Sequence, residues 1–344
     1  MTRWFLGHVP RVPLRDHEGL CIHVGSAILN TIVFLGYEDH TAPGEMRCTG
    51  TGFLLGYQGS GYLVTNKHVA APLADSPFIV RVNRRDGGSD KLFQEKPVTW
   101  FPHPKPEVDL TCLPLALGLK AGYDSLYLPE ELLFRAGAET EFGVDVGDIC
   151  YSIGLFRYVS GEKRNLPLVY SGNIALMSDE KIPVWDNLRA QTDKVDGLLI
   201  QSQGIHGASG SPVLVRPSWH LEREGAPYPI SEFGAQVAGH RLLLLGVFQS
   251  AWFLPPEAAI REDFGALDGD SVPVGLGVVI PAQRIIEMLE RKDLKLMREE
   301  KNKKRAAQQT SVPVKKPAPK PADREAFNRL LGAAVKRPKS SDQT

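Results

Sequence analysis

The chain has 344 residues, of which 42% are hydrophobic and 23% are charged, with 40 lysines and arginines against 40 aspartates and glutamates. This is the composition of a folded globular domain, and it excludes collagen-like, coiled-coil and wholly disordered proteins. The longest apolar run, 242–248, is far shorter than the roughly 20 residues that span a bilayer, so we expect no transmembrane helix and no membrane partner. Residues 1–19 lack the apolar stretch of a secretory signal, which favours a cytoplasmic protein.

The four cysteines are Cys21, Cys48, Cys112 and Cys150, and they show neither a CxxC spacing nor a neighbouring histidine cluster. In a reducing compartment this pattern is typical of free, mostly buried thiols. We therefore expect no disulfide framework, no metal site and no cofactor.

From about residue 26 onward, short β-branched and apolar runs alternate with Gly, Pro, Asn and Asp, which predicts an all-β sandwich or barrel. The predicted strands are, in chain order, 27–35, 51–55, 61–65, 78–82, 149–153, 168–174, 198–202, 212–215 and 242–248, with a short helix at 129–135. They form two β-rich halves, about 20–125 and 140–292, which we interpret as two barrels. Apolar residues at helical spacing after Pro281 predict a C-terminal helix packed on the second half.

The zero net charge conceals an asymmetry between body and tail. Residues 301–344 carry 12 Lys and Arg against 3 Asp and Glu, whereas residues 1–300 carry 28 against 37. The tail is also rich in Ala, Gln and Pro, which predicts a disordered basic segment. The expected organisation is therefore an N-terminal extension over 1–19, one folded domain over 20–300 and a disordered tail over 301–344.

One segment of the tail, 323–335, has the apolar spacing of a short amphipathic helix. Its apolar face consists of Phe327, Leu330, Leu331 and Ala334. A helix of about 13 residues is marginal alone, so we expect it to fold against a surface, such as that of a partner protein. A solvated tail with only transient helix is the alternative. The basic charge alone does not indicate a nucleic-acid partner, because the sequence has no zinc, helix-turn-helix or aromatic-platform signature.

The sharpest chemical motif is Gly-Ala-Ser-Gly-Ser-Pro at 207–212, just before the predicted strand 212–215. Small residues around Ser209 allow a tight turn in which backbone amides converge, as an oxyanion hole requires. An ordinary Gly/Ser loop would have the same composition.

Two further residues are candidate site residues because of their neighbours in the sequence. His68 directly follows the predicted strand 61–65, although a lone histidine is more often packed or solvated. Asp109 stands between Val108 and Leu110, where burying a carboxylate is costly unless it accepts hydrogen bonds, for instance from a histidine. A solvated aspartate in a turn is the alternative.

Taken together, His68 and Asp109 in the first half and Ser209 in the second resemble the trypsin-like (chymotrypsin-fold) serine proteases, which have the triad in this order. An α/β-hydrolase would have the serine first, within GxSxG. The resemblance covers about 26–292 and is closest to the bacterial high-temperature-requirement (HtrA-like) branch, without its usual PDZ domain. Supporting matches are Gly50-Thr51-Gly52-Phe53, Val108-Asp109-Leu110, Gly172-Asn173-Ile174 and Gly275-Leu276-Gly277-Val278-Val279-Ile280-Pro281.

The resemblance implies an all-β fold of two six-stranded-type, chymotrypsin-like barrels and a serine endopeptidase acting on a protein or peptide. It assigns Ser209 as nucleophile, His68 as general base, Asp109 as the residue that orients His68, and the amides of Gly207 and Ser209 as the oxyanion hole. It also implies that the substrate pocket is lined by Gln203, His206, Gln249, Ser250 and Ala251. The alternative function is a catalytically silent binding module that keeps the protease fold.

Overall fold

A computed structural model describes most of the chain. The described residues are 24–41, 45–75, 77–94, 98–115, 117, 122–124, 127–137, 139, 142–186, 191–202, 207–217, 242–254 and 272–311. The chain separates into a large unit, Met1–Arg298, and a second unit, Glu299–Thr344. Within the described residues, no helix is both long enough and apolar enough to cross a membrane.

The first half of the large unit is a seven-stranded antiparallel sheet. Its strands are β1 (Ile32–Glu38), β2 (Met46–Tyr57), β3 (Ser60–Thr65), β4 (Phe78–Asn83), β5 (Ser89–Gln94), β6 (Phe101–Pro102) and β7 (Thr111–Pro114). Their order in the sheet is β5-β4-β1-β2-β3-β7-β6, so β2 and β3 lie near its centre. Two short helices flank these strands, α1 (Ser26–Leu29) before β1 and α2 (Lys67–Ala70) directly after β3.

The second half is a closed six-stranded barrel. Its strands are β8 (Ile149–Gly154), β9 (Leu168–Leu176), β12 (Leu198–Gln201), β13 (Pro212–Val215), β14 (Leu243–Leu254) and β15 (Val272–Pro281). Their order around the barrel is β12-β15-β14-β13-β8-β9. A separate hairpin of β10 (Ile182–Asp186) and β11 (Gln191–Val195) lies between β9 and β12 in the sequence. The barrel is followed by α3 (Ala282–Leu289) and α4 (Lys292–Ser311).

The central strands of the first sheet are buried on both faces. In β1, Ile32 and Phe34 belong to the large core that continues through the barrel, whereas Val33 and Leu35 belong to a second core on the other face. Successive side chains of a strand point to opposite faces, so a strand buried on both sides appears as an unbroken apolar run. The same division occurs in β2 and β3. The large core thus joins the first sheet to the barrel.

The predicted all-β class is confirmed, with a closed six-stranded barrel in the second half and a helix after Pro281. Three local predictions are corrected. The run 27–35 is not one strand, because Ser26–Leu29 is helical and the strand begins at Ile32. The predicted helix at 129–135 is only a 3₁₀ turn, Glu130–Leu132. The last helix continues to Ser311, so the first eleven residues of the segment predicted as a disordered tail are helical. The predicted tail helix, 323–335, lies outside the described residues.

Candidate active site

His68 lies in a one-turn helix at the end of a buried central strand. Strand β3 ends at Thr65, and α2 begins two residues later at Lys67. The next two residues, Val69 and Ala70, are 4% and 3% exposed and hold the turn against the core. The side chain of His68 is 48% exposed, so the imidazole stands at the surface on a fixed backbone.

Asp109 contacts His68 at two points. Its Oδ2 lies 2.5 Å from His68 Nδ1, and its Oδ1 accepts the backbone N–H of His68 at 3.0 Å. The flanking Val108 and Leu110 are buried, which anchors the carboxylate although it is separated from His68 by 41 residues in the sequence. A carboxylate on Nδ1 places the proton of the neutral ring there and leaves Nε2 free to act as a base.

Two neighbours of His68 fix the loop that carries the carboxylate, and we did not predict either from the sequence. Asn66, fully buried, donates from Nδ2 to the backbone carbonyl of Asp109 at 3.0 Å. Lys67 donates from Nζ to the carbonyl of Pro106 at 2.9 Å, and partial burial lowers the pKa of its ammonium group. The available signal was their position directly before the candidate base.

Ser209 lies in a tight turn between β12 and β13. The turn is closed by the N–H of Ser211, which donates to the carbonyl of Ala208 at 3.0 Å. Gly207 and Gly210 have φ angles of +101° and +86°, values that favour glycine. A Cβ on Gly210 would also collide with the carbonyl oxygen of Thr51. The small residues predicted to permit a sharp turn therefore do so here.

Thr51 of β2 attaches this turn to the first sheet. Its N–H donates to the carbonyl of Ser209 at 3.0 Å, and its Oγ1 donates to the carbonyl of Gly207 at 2.8 Å. The same Oγ1 accepts the N–H of Leu155 at 2.8 Å. Thr65, three residues before His68, donates to the carbonyl of Thr51 at 2.7 Å. The serine turn and the histidine turn are thus both connected to Thr51, a residue of the Gly50-Thr51-Gly52-Phe53 motif for which the sequence predicts no such role.

The backbone of the serine turn suits an oxyanion hole. The carbonyl of Ala208 faces the N–H of Ser211, so the N–H of Ser209, on the opposite side of the same trans peptide, points away from that contact. Among the described residues, the N–H groups of Gly207 and Ser209 donate to no backbone oxygen.

The described residues contain no hydrogen bond between His68 Nε2 and Ser209 Oγ. Such bonds between a base and a nucleophile often form fully only with substrate in place. The two residues nevertheless lie on turns that Thr51 and Thr65 connect to each other.

Three of the five residues predicted to line the pocket lie on β14, directly after its connection to the serine turn. The N–H of Gly210 donates to the carbonyl of Phe248 at 3.0 Å, and the N–H of Phe248 donates to the carbonyl of Ser211 at 2.8 Å. Gln249 follows at a bulge in the pairing with β15, and Gln249, Ser250 and Ala251 are all half-buried. Bulges redirect side chains next to many active sites. The other two predicted residues, Gln203 and His206, lie outside the described residues.

Within the described part of the chain, no three His, Cys, Asp or Glu side chains are grouped so that they could hold a metal ion. The groups at the candidate site are a hydroxyl on Ser209, an imidazole on His68, a carboxylate on Asp109 and the backbone amides of the serine turn.

The chain matches no protein-family model and no curated protein. Among solved structures it is similar to Deg5, with 17% identity and a TM-score of 0.38 over 69% of this chain and 88% of that chain. It is also similar to the inactive form of the Rv3671c protease, with 17% identity and a TM-score of 0.39 over 77% of this chain and 89% of that chain. Both similarities are weak, so the interpretation of the site depends on the contacts between its own residues.

Proposed function

We propose that this protein is a serine endopeptidase with Ser209 as nucleophile, His68 as general base and Asp109 as the residue that orients the base. The observation that carries the proposal is the two-point contact of Asp109 with His68, at 2.5 Å to the ring and 3.0 Å to the backbone. This contact sets the imidazole in the tautomer and orientation that a base for a serine hydroxyl requires.

In the proposed reaction, Ser209 Oγ attacks the carbonyl carbon of a peptide bond while His68 Nε2 takes the hydroxyl proton. The carbon–nitrogen bond then breaks, and the imidazolium returns that proton to the leaving amine. Water attacks the acyl-enzyme with His68 again as base, which releases the carboxylic acid and regenerates the serine. Throughout, the Asp109 carboxylate orients the ring and stabilises the imidazolium.

The negative oxygen of each tetrahedral intermediate would bind to the N–H groups of Gly207 and Ser209. Each such donor contributes about 2.7–4 kcal/mol to catalysis in comparable sites. The carbonyl of Ala208, bonded to the N–H of Ser211, lies in the same peptide as the Ser209 amide and keeps that amide from rotating. The bond from Thr51 to the carbonyl of Gly207 fixes the peptide that follows the Gly207 amide. No metal or organic cofactor takes part in this scheme.

The substrate preference is proposed from the pocket residues. Gln203 offers no carboxylate to pair with a basic side chain, so cleavage after Arg or Lys is not expected. A neutral side chain of modest size suits Gln249, Ser250 and Ala251, whereas His206 would favour an acidic or amide side chain. Profiling with a mixed peptide library tests this, and cleavage mainly after Arg or Lys would contradict it.

The central test is covalent labelling with a fluorophosphonate probe, which reacts only with an activated serine. We expect the parent protein to be labelled at Ser209 and Ser209→Ala to be unlabelled. The matched control is Ser211→Ala, because Ser211 is a fully buried serine only two residues away. Labelling should persist in Ser211→Ala. A folded parent protein that binds peptides without being labelled would instead be a silent binding module.

A cytoplasmic location and a partner protein bound through the basic tail remain proposals from the sequence. Deleting residues 312–344 should leave fluorophosphonate labelling unchanged while weakening a partner complex at low salt. Loss of labelling on deletion would contradict the proposed role of the tail.

A further inference from the structure

The loop between β8 and β9, residues 155–167, extends from the barrel to the first sheet. There it contacts strand β4 through two of that strand's residues, Arg81 and Asn83. Residues of the loop and of β4 are about 80 positions apart in the sequence. The contact therefore joins the two halves of the large unit.

Arg81 is a buried cation whose partners are loop carbonyls. It is 5% exposed, and its guanidinium donates to the carbonyl of Ser160 at 2.5 Å, the carbonyl of Gly161 at 3.0 Å and Asn165 Oδ1 at 2.5 Å. Its guanidinium carbon lies 5.4 Å from the ring centre of Phe34. Among the described residues, no carboxylate forms an ion pair with it, and burial lowers its pKa. The loop carbonyls therefore compensate for the removal of this charge from water.

Asn165 completes the contact with a set of paired amide bonds. It is 1% exposed, its N–H donates to Asn83 Oδ1 at 2.7 Å, and its Nδ2 donates to the carbonyl of Arg81 at 2.7 Å. Its own carbonyl accepts Nδ2 of Asn83 at 3.2 Å. We call these bonds among Arg81, Asn83, Asn165 and the carbonyls of residues 160–161 the Arg81–Asn165 network. Buried networks of this kind hold one conformation because each partner is costly to leave unsatisfied.

The other end of the same loop touches the serine turn. Leu155, fully buried, donates its N–H to Thr51 Oγ1 at 2.8 Å, and Thr51 Oγ1 also holds the carbonyl of Gly207. The side chain of Leu155 packs directly behind Gly207, where a Cβ would lie 3.0 Å from Leu155 Cγ. If the loop were displaced, Gly207 would lose its packing contact with Leu155.

We propose that Arg81 and Asn165 are positioning residues for the oxyanion hole, acting through the β8–β9 loop and Leu155 on Gly207. This inference rests on the proposed function, since it names what keeps the Gly207 amide in place. Neither residue touches the substrate. Their contribution is to keep the loop bound to β4 so that Leu155 stays packed against the turn.

A second buried arginine provides the matched comparison. Arg298 of α4 is 2% exposed and donates to the carbonyl of Leu289, to Tyr62 and to Glu290. It shares with Arg81 the burial and a bond to a backbone carbonyl, although it also pairs with a carboxylate, Glu290. None of its bonds within the described residues reaches the β8–β9 loop or the serine turn. A general loss of stability would follow from replacing either arginine, whereas an effect on Gly207 should follow only from replacing Arg81.

The experiment compares Arg81→Met, Asn165→Ala and Arg298→Met in the full chain, with two measurements. The first is hydrogen exchange of peptides that contain the bonded amides of Leu155, Gly210 and Ser211. We expect at least about tenfold faster exchange there in the first two variants and no change in Arg298→Met. The second is the rate of fluorophosphonate labelling of Ser209, which should fall about 10- to 10³-fold in the same two variants, up to the loss of one oxyanion donor.

The two readouts separate this inference from the proposed function. If the parent is not labelled at all, the proposed function fails, but exchange at the serine turn still decides whether the Arg81–Asn165 network controls it. If Arg81→Met does not fold, Asn165→Ala, which removes no charge, provides the same comparison. Folded variants of Arg81 and Asn165 with the exchange and labelling rates of Arg298→Met would overturn the inference.

Discussion

Replacing Thr51 by valine tests how the serine turn is held to the first sheet. Valine has nearly the shape of threonine, so the substitution removes one hydroxyl from a site that is fully buried. That hydroxyl donates to the carbonyl of Gly207 at 2.8 Å and accepts the N–H of Leu155 at 2.8 Å. The backbone bond from Thr51 to Ser209 remains, so the variant isolates the role of the side chain.

The expected cost follows from the two backbone groups that lose their partner. A buried donor or acceptor without a partner costs about 1–3 kcal/mol, so Thr51→Val should lower the free energy of unfolding by about 2–6 kcal/mol. The matched control, Thr51→Ser, keeps the hydroxyl and loses one buried methyl group, which costs about 1 kcal/mol. The Gly207 carbonyl belongs to the peptide that links Gly207 to Ala208, between the two proposed oxyanion donors. Freed from Thr51, this peptide can rotate and displace the adjoining amides of Gly207 and Ser209, which costs up to about 10²–10³ in the acylation rate.

The assay is urea unfolding followed by tryptophan fluorescence, together with the labelling rate of Ser209, for the parent and both variants. Thr51→Val should be the less stable and the slower to label, and Thr51→Ser should stay close to the parent in both respects. Equal stability and equal labelling of the two variants would refute the role assigned to the hydroxyl.

Two further changes probe the loop between β6 and β7, residues 103–110, which carries Asp109. Asp109→Asn should lower the labelling rate of the serine by about 10⁴-fold with little loss of stability, because the amide favours the wrong tautomer of His68; retention of the parent rate would remove Asp109 from the mechanism. His103 begins this loop, accepts the N–H of Lys105 on Nδ1 at 3.1 Å and lies 3.3 Å from Glu287, and burial lowers its pKa. The fold therefore favours the neutral form of His103. Its contribution to the free energy of unfolding is complete above the pKa of about 6.5 in the unfolded chain, and it is lost as the pH falls through the lower pKa of the folded protein. Urea unfolding at pH 7.5 and pH 5 should show a larger loss for the parent than for His103→Asn, and equal losses would contradict the assignment.

The contact between His68 and Asp109 could be predicted from the sequence because each residue has a recognisable local setting. His68 lies three residues after the end of the buried strand β3, and Asp109 lies between two apolar residues that anchor it. The sharp turn at Ser209 was equally visible in its small residues. These signals are local, and the structure brings His68 and Asp109 together from 41 residues apart.

The Arg81–Asn165 network could not be predicted from the sequence, because it depends on contacts between distant residues rather than on a local pattern. Arg81 lies in a strand that otherwise has core residues, and Asn165 lies in a loop. Nothing in the sequence around either residue indicates that the two are in contact across 84 residues. The start of β1 differs from the prediction because the polar residues Asn30 and Thr31 divide 27–35 into two parts, a helix that ends at Leu29 and a strand that begins at Ile32. Apolar runs alone do not distinguish a buried strand from a short buried helix.

The relative position of the two halves of the site depends on one shared hydrophobic core. His68 and Asp109 belong to the first sheet and Ser209 to the barrel, so the proposed catalytic geometry must be maintained across the boundary between them. Along β1 to β3, one set of side chains joins the core of the barrel while the alternate set fills the core of the first sheet. A shift of one residue in these strands would exchange the two sets, which fixes the register strongly. Thr51 is held in that register, between Gly50 and Gly52 on β2, and the hydrogen bonds from Thr51 to Gly207 and Ser209 transmit this fixed position to the serine turn.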